Sequence, residues 1–305
     1  KLLLAACQDP ESPAFSRAGA MLALRRFLSD ASFDEARRNL DSNQSVLRVA
    51  AVSKLEDLPP EQSHASLVRM LHDPIVSVRT EAARILSRSP QTLFEESDFK
   101  LFRVVFQELK KRFEYNLDRP ESHLSLGILA ENQNDPILAE EHYRSAIKRE
   151  STYVPARMNL ATLLSRRGRN REAEKLLREA IRYQPTWGQV YYSLGLLLAE
   201  DRSRLPEATR TLEKAAGYAL DNPRIFHNLA IAYWQQEKVD PAVAAFLRAI
   251  ELEPNNPQFV QNLLQLLAQK QRWKEALPYA RRMIELTPTN PQAINFLREI
   301  ERKIS

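Results

Sequence analysis

The sequence predicts an all-α protein, a right-handed superhelical α-solenoid of stacked helix pairs. Small and bulky residues recur at fixed intervals, 32 residues apart in the first third and about 34 apart from residue 120 onward. Within each interval the apolar positions follow helical spacing. Only 6 of the 305 residues are glycine, too few for the βα turns and phosphate loops of an α/β enzyme of this length. Apolar residues at 44% and charged residues at 27% fit a folded chain and not a disordered one. No stretch approaches eighteen uninterrupted apolar residues, so no membrane-spanning helix is expected.

The net charge of +5 is modest and both signs are mixed along the chain. A solvated surface explains it more simply than a dedicated nucleic-acid surface. Cys7 is the single cysteine, which excludes an internal disulfide and a cysteine-based metal site. Leu3-Leu4-Ala5-Ala6-Cys7 has the look of a lipoprotein cleavage box, but only Lys1 and five residues precede Cys7, too short a leader. A buried helix cysteine is the competing reading.

The first interval is carried by Asp9, Asp41 and Asp73, followed by Ala18, Ala50 and Ala82. In the clearest copy, Asp73 is expected to cap a helix and Pro74 to take its first position. Val78, Ala82, Ile85 and Leu86 then form one apolar face. The Asp-Pro-x-x-x-Val-Arg pattern with a following Ala-Ala resembles HEAT repeats, which implies HEAT-like helix pairs over 1–97. Residues 98–119 read as a connecting amphipathic helix, with Phe99, Phe102, Phe106, Leu109 and Phe113 on one stripe.

From residue 120 the rhythm is set by Ala139, Ala173, Ala208, Ala242 and Ala276, and by Leu126, Leu160, Leu194, Leu229 and Leu263. Gly127, Ala161, Gly195 and Ala230 supply a small position where two helices can touch. Tyr143, Leu177, Leu212 and Phe246 supply a bulky one. One extra residue falls between Gly195 and Ala208, in an inter-helix turn. This pattern resembles the tetratricopeptide repeat (TPR) in five copies, 120–153, 154–187, 188–222, 223–256 and 257–290. Residues 291–305 read as a capping helix, because Arg298 occupies the small position and forbids a close neighbour.

No phosphate loop, His-Glu-x-x-His pair or Gly-x-Ser-x-Gly elbow occurs. Ser145 and Lys148 have Ser-x-x-Lys spacing, but inside an expected helix. The histidines His64, His72, His123, His142 and His227 show no ligand spacing. No catalytic residue, cofactor or metal is therefore expected, and the chain reads as a non-catalytic scaffold for protein–protein contact.

First helices of a superhelical array line its inner groove. One position there reads Ser125, Asn159, Ser193, Asn228 and Asn262, and the position before it Leu124, Met158, Tyr192, His227 and Gln261. Asn159, Tyr192, His227, Asn228, Gln261, Asn262 and Gln265 are thus candidates to hold an extended peptide, since amides both donate and accept. The alternative is that the asparagines bond within the repeats. No lysine stands where carboxylate-clamping members of the family would carry one. Arg166, Arg167, Arg169 and Arg171 form a basic turn, either solvated or docking an acidic partner.

HEAT-like copies followed by TPR copies resemble the C-terminal half of exported bacterial multihaem c-type cytochromes. Leu2–Leu24, Leu55–Gln62 and Arg119–Gly127 carry that resemblance. It implies a periplasmic or extracellular setting, with the cytoplasm as alternative, and a partner that is a multihaem cytochrome, another protein or peptide, or a second copy in a filament. No Cys-x-x-Cys-His motif occurs, so no covalent haem is expected here. Beginning at Lys1 and not Met, the chain reads as a fragment or a processed product. An accessory domain for an anionic polymer, nucleic acid or polysaccharide, is the second functional class.

Overall fold

The structure, a computed structural model, describes residues 2–24 and 29–304; these are helices and connecting turns, with no strand among them. Lys1, at the head of the short segment before Cys7, lies outside the described residues. The chain forms two compact units, Lys1–Ser151 and Thr152–Ser305.

The first unit opens with α1 (Leu2–Gln8) and α2 (Ala14–Ala23), then α3 (Asp30–Asn39) and α4 (Ser45–Lys54), then α5 (Pro60–Met70) and α6 (Val76–Leu86). Cys7 lies fully buried in α1, and burial raises its thiol to about 11. It is a packing residue in the folded chain, with no thiolate character near neutral pH. Helices α2, α4 and α6 begin at residues 14, 45 and 76, so the structural interval is 31 residues and not 32. Side chains in true register are Arg17, Arg48 and Arg79; Ala20, Ala51 and Ala82; and Leu24, Leu55 and Leu86. The aspartates misled because they sit in turns that vary by one residue, whereas packing fixes the helices.

Asp73 does not cap α6, which starts two residues after Pro74 with Ile75 at the N-cap. Its carboxylate accepts the Ile75 N–H at 2.8 Å and a bidentate pair from Arg48, at 2.7 and 3.0 Å. Burial would raise Asp73, but the Arg48 bonds, the Ile75 N–H and the charge of Arg79 outweigh it and hold the carboxyl below its usual range. The next arginine in register, Arg79, makes the same fork to Glu108, at 2.8 and 2.6 Å. Lys54 is wholly buried, donating to the Leu24 carbonyl and to Asp57, each at 3.1 Å, with its ammonium 4.3 Å from the Phe33 ring centroid. A buried cation is tolerated because each donor is engaged.

Helix α7 (Glu96–Glu114) packs on α6 through Phe102, Val105, Phe106 and Leu109. The unit closes with α8 (Pro120–Asn132) and α9 (Pro136–Arg149). Their approach is close: a Cβ on Gly127 would stand 2.4 Å from Cε1 of the buried Tyr143.

The second unit repeats the same hairpin. Its pairs are α10 (Val154–Arg166) with α11 (Asn170–Tyr183), α12 (Gly188–Ala199) with α13 (Leu205–Tyr218), α14 (Pro223–Gln235) with α15 (Val239–Leu252), and α16 (Pro257–Gln269) with α17 (Trp273–Leu286). Helix α18 (Pro291–Ile304) follows, burying Ala293 and Ile300. One repeat cannot hide its apolar face, so successive pairs stack. Ala173, Ala208, Ala242 and Ala276 are all fully buried. Replacing Ala242 by leucine should overpack α14 and α15 and cost about 1–3 kcal/mol; an unchanged urea midpoint would refute that packing.

From α8 onward the turn inside four of the five pairs is built one way. Asn134, Gly168, Glu237 and Gln271 have φ of 58°, 74°, 60° and 56°, and the following N–H returns to a carbonyl five residues back. This left-handed residue is the usual helix stop, and only one of the four is glycine. In the α12–α13 pair the extra residue replaces it with a 3-10 turn, Arg202–Arg204, tied by Asp201 to the Ser203 N–H at 2.9 Å.

Candidate functional site

The candidate groove residues all lie in the second unit, at matching places on α10, α12, α14 and α16. Proline or glycine at or near the first helical position starts each helix in the same phase, so the same face recurs once per pair. The structure ties several of these side chains to each other. Asn228 donates to the Tyr192 hydroxyl at 2.7 Å and to the Arg224 carbonyl at 3.0 Å. Asn262 lies 2.8 Å from Nε2 of His227, and its oxygen accepts from Gln258 at 2.8 Å. With that oxygen accepting, the amide N–H points at His227, so Nε2 is the acceptor and the ring is neutral. Both links run from one first helix to the next, as rungs between repeats. Trp234 makes a third, its indole N–H donating to Gln269 at 2.7 Å.

Asn228 and Asn262 therefore do not stand idle in the free protein. Their replacement by alanine should cost about 1 kcal/mol of stability apiece, where solvent-facing amides would have cost little. Asn159, Gln261 and Gln265 make no side-chain hydrogen bond among the described residues. Gln261 and Gln265 edge a cleft of 220 Å³ between α16, α17 and α18, floored by Leu264, Met283, Ala293 and Phe296. The cleft exists because Leu264 and Met283 stand where the other pairs carry small residues, which keeps the helices apart.

His227 sits 4.7 Å from the Phe259 ring centroid and 5.7 Å from that of Phe246. Burial lowers its pKa, and no charged neighbour contributes. His64, edge-on to Phe94 at 4.4 Å, is lowered the same way, with Asp98 opposing. The unfolded chain thus takes up protons that the folded chain resists. The stability these rings contribute is fully present above their ordinary value of 6.5 and declines as pH falls below it. Urea midpoints should drop between pH 7.5 and 5, and His227→Gln should flatten that slope; an equal slope in the variant would refute the assignment.

The basic turn is less open than its composition suggests. Arg169 forks onto Glu172 with two 2.7 Å bonds. Arg166 lines a 220 Å³ cleft with Glu200, and Arg171 lines another with Glu174, Glu200 and Asp201. Asn170 donates to Glu200 at 2.7 Å, so acidic groups already face the cluster. Behind it, Glu174 is held down to about 2 by hydrogen bonds from Arg204 and Arg178.

Two features went unread in the sequence. Arg157 is buried with Nε and Nη1 lacking a hydrogen-bond partner, its guanidinium 4.8 Å above the Tyr183 ring and its Nε 3.5 Å from Glu179. His123 and His142 meet across α8 and α9. Both break a pattern that was visible: one helix position reads His123, Arg157, Tyr191, Phe226 and Val260, and polar residues intrude there upon aromatic and aliphatic ones.

Residues 132–197 and 227–291 match models described as tetratricopeptide repeat, so the chain carries TPRs. It is 26% identical over 152 residues to the Drosophila melanogaster Protein O-mannosyl-transferase Tmtc3, covering 50% of this chain and 16% of that protein. It is 27% identical over 139 residues to the General transcriptional corepressor ssn6 of Schizosaccharomyces pombe, covering 44% and 12%. The chain thus spans under a fifth of either relative. The solved structure of Pseudomonas aeruginosa pilF superposes with a TM-score of 0.52 at 18% identity, covering 73% of this chain and 99% of that one, a likeness of fold.

Proposed function

We propose that the chain is a non-catalytic scaffold that holds an extended, uncharged protein segment along the first-helix face of its second unit. The observation that carries this reading is the unbonded amides, Asn159 on α10 and Gln261 and Gln265 on α16, the latter two at the apolar cleft of 220 Å³. Amides spaced along a groove satisfy a peptide backbone without demanding a sequence, and the cleft takes an apolar side chain. The TPR matches support the general class, since this repeat fold serves interaction. The cytochrome-like segments, with their HEAT-like copies, make an exported multihaem cytochrome, possessing such a segment or joined in a filament, the partner to try first.

The test is selection of peptides from a display library on the intact chain, followed by binding to an Asn159→Ala, Gln261→Ala, Gln265→Ala variant. About tenfold weaker binding or more is expected, since each lost contact removes on the order of 1 kcal/mol. The melting temperature should barely move. Equal binding by that variant, with loss on reversing Arg166, Arg167 and Arg169 to glutamate, would move the working surface to the basic turn.

A further inference from the structure

Outside the groove, a pair of histidines meets between α8 and α9. His123 and His142, 19 residues apart in sequence, face each other with their Nδ1 atoms 3.2 Å apart. His123 is buried on α8, while His142 on α9 is half-buried and reached by solvent. Two imidazoles bound to one tetrahedral ion at about 2.0–2.1 Å hold their nitrogens roughly 3.3 Å apart, by the geometry of that polyhedron. The separation in the apo chain already has that value. Burial lowers both pKa values, with the Leu117 backbone opposing it at His123. Glu141 and Glu114 act electrostatically on His142, opposed by His123 and Lys110.

We propose that His123 and His142 form a binding site for a borderline divalent cation, of the zinc, nickel or copper kind, held through the two Nδ1 atoms. Imidazole selects these ions over magnesium or calcium. In the free chain one Nδ1 donates its proton to the other. Metal binding needs both lone pairs, so that proton leaves Nδ1 and one returns to Nε2 of the same ring through solvent. The change is one of tautomer, with no net gain or loss of protons. Among the described residues no three His, Cys, Asp or Glu side chains are placed as a metal set, so water completes the shell and the site stays open to a further ligand.

The experiment is calorimetric titration of the untagged full chain with zinc chloride and, separately, nickel chloride, with magnesium chloride as control. One equivalent should bind for zinc or nickel and none for magnesium. Even outer contacts to ligating histidines are worth about 10–100-fold in affinity, so His142→Gln should weaken binding by at least about tenfold. That variant alters a half-buried position, and circular dichroism establishes that it folds. His72→Gln, at an exposed histidine, should bind as the parent does. Absence of saturable binding to the parent would overturn the proposal, as would a folded His142→Gln variant that binds with unchanged affinity.

Discussion

Replacing Asp73 by alanine should be among the most damaging single changes in the first unit, costing about 3–5 kcal/mol. The Arg48–Asp73 pair is nearly dry, its side chains 13% and 5% exposed. Removing the carboxylate leaves the guanidinium with only its bond to the Ser42 carbonyl at 2.8 Å, and leaves the Ile75 N–H unmet. The expensive element is the stranded charge and not the lost attraction. Arg48→Met added to Asp73→Ala should therefore recover part of the loss. A urea-unfolding cycle over the two single variants and the double decides it. A double variant as unstable as the sum of the singles would show the pair to be uncoupled.

Gly127→Leu should cost about 3 kcal/mol, at the upper end of what overpacking does. Ordinarily a side chain at a helix-interior glycine is favourable by up to about 1 kcal/mol. Here the new Cβ would lie 2.4 and 2.6 Å from two ring carbons of Tyr143. That ring is fully buried, and its hydroxyl is anchored on Glu131 at 2.5 Å, so it has nowhere to turn. Even Gly127→Ala should destabilise. Gly217→Ala is the control, since nothing lies within 4 Å of the Cβ it would add to α13. It should stabilise by roughly 0.5–1 kcal/mol. The same sign for both alanine variants would refute the packing described for α8 and α9.

Most of the helical architecture was legible in the sequence because packing writes itself at fixed positions. Ala242 and Phe246 are buried where the 34-residue rhythm put them, and the extra residue before Ala208 does lie in the Arg202–Arg204 turn. The shorter interval of the first unit was misread by one residue. There the conspicuous aspartates belong to turns, whereas Arg17, Arg48 and Arg79 keep the true register. The candidate groove was legible as a row of side chains, but not in its bonding. Whether Asn228 faces a ligand or Tyr192 depends on the distance between adjacent repeats, which no single-residue pattern encodes. The left-handed turn residues were equally hidden, because asparagine, glutamate and glutamine fill three of four places where glycine would have signalled them.

The rungs on the first helices have a mechanical consequence. In the second unit Tyr192–Asn228 and His227–Asn262 hold one edge of the stack with short neutral bonds. The other edge, on the second helices and their turns, is laced by charge: Arg178 and Arg204 reach Glu207 and Glu174, and Arg272 reaches Asp240. Salt screens the second kind and leaves the first almost untouched. Such a stack is built like a bimetal strip, with two margins that should respond unequally to one stimulus. Raising ionic strength should slacken the charged margin alone and so change the curvature of the groove.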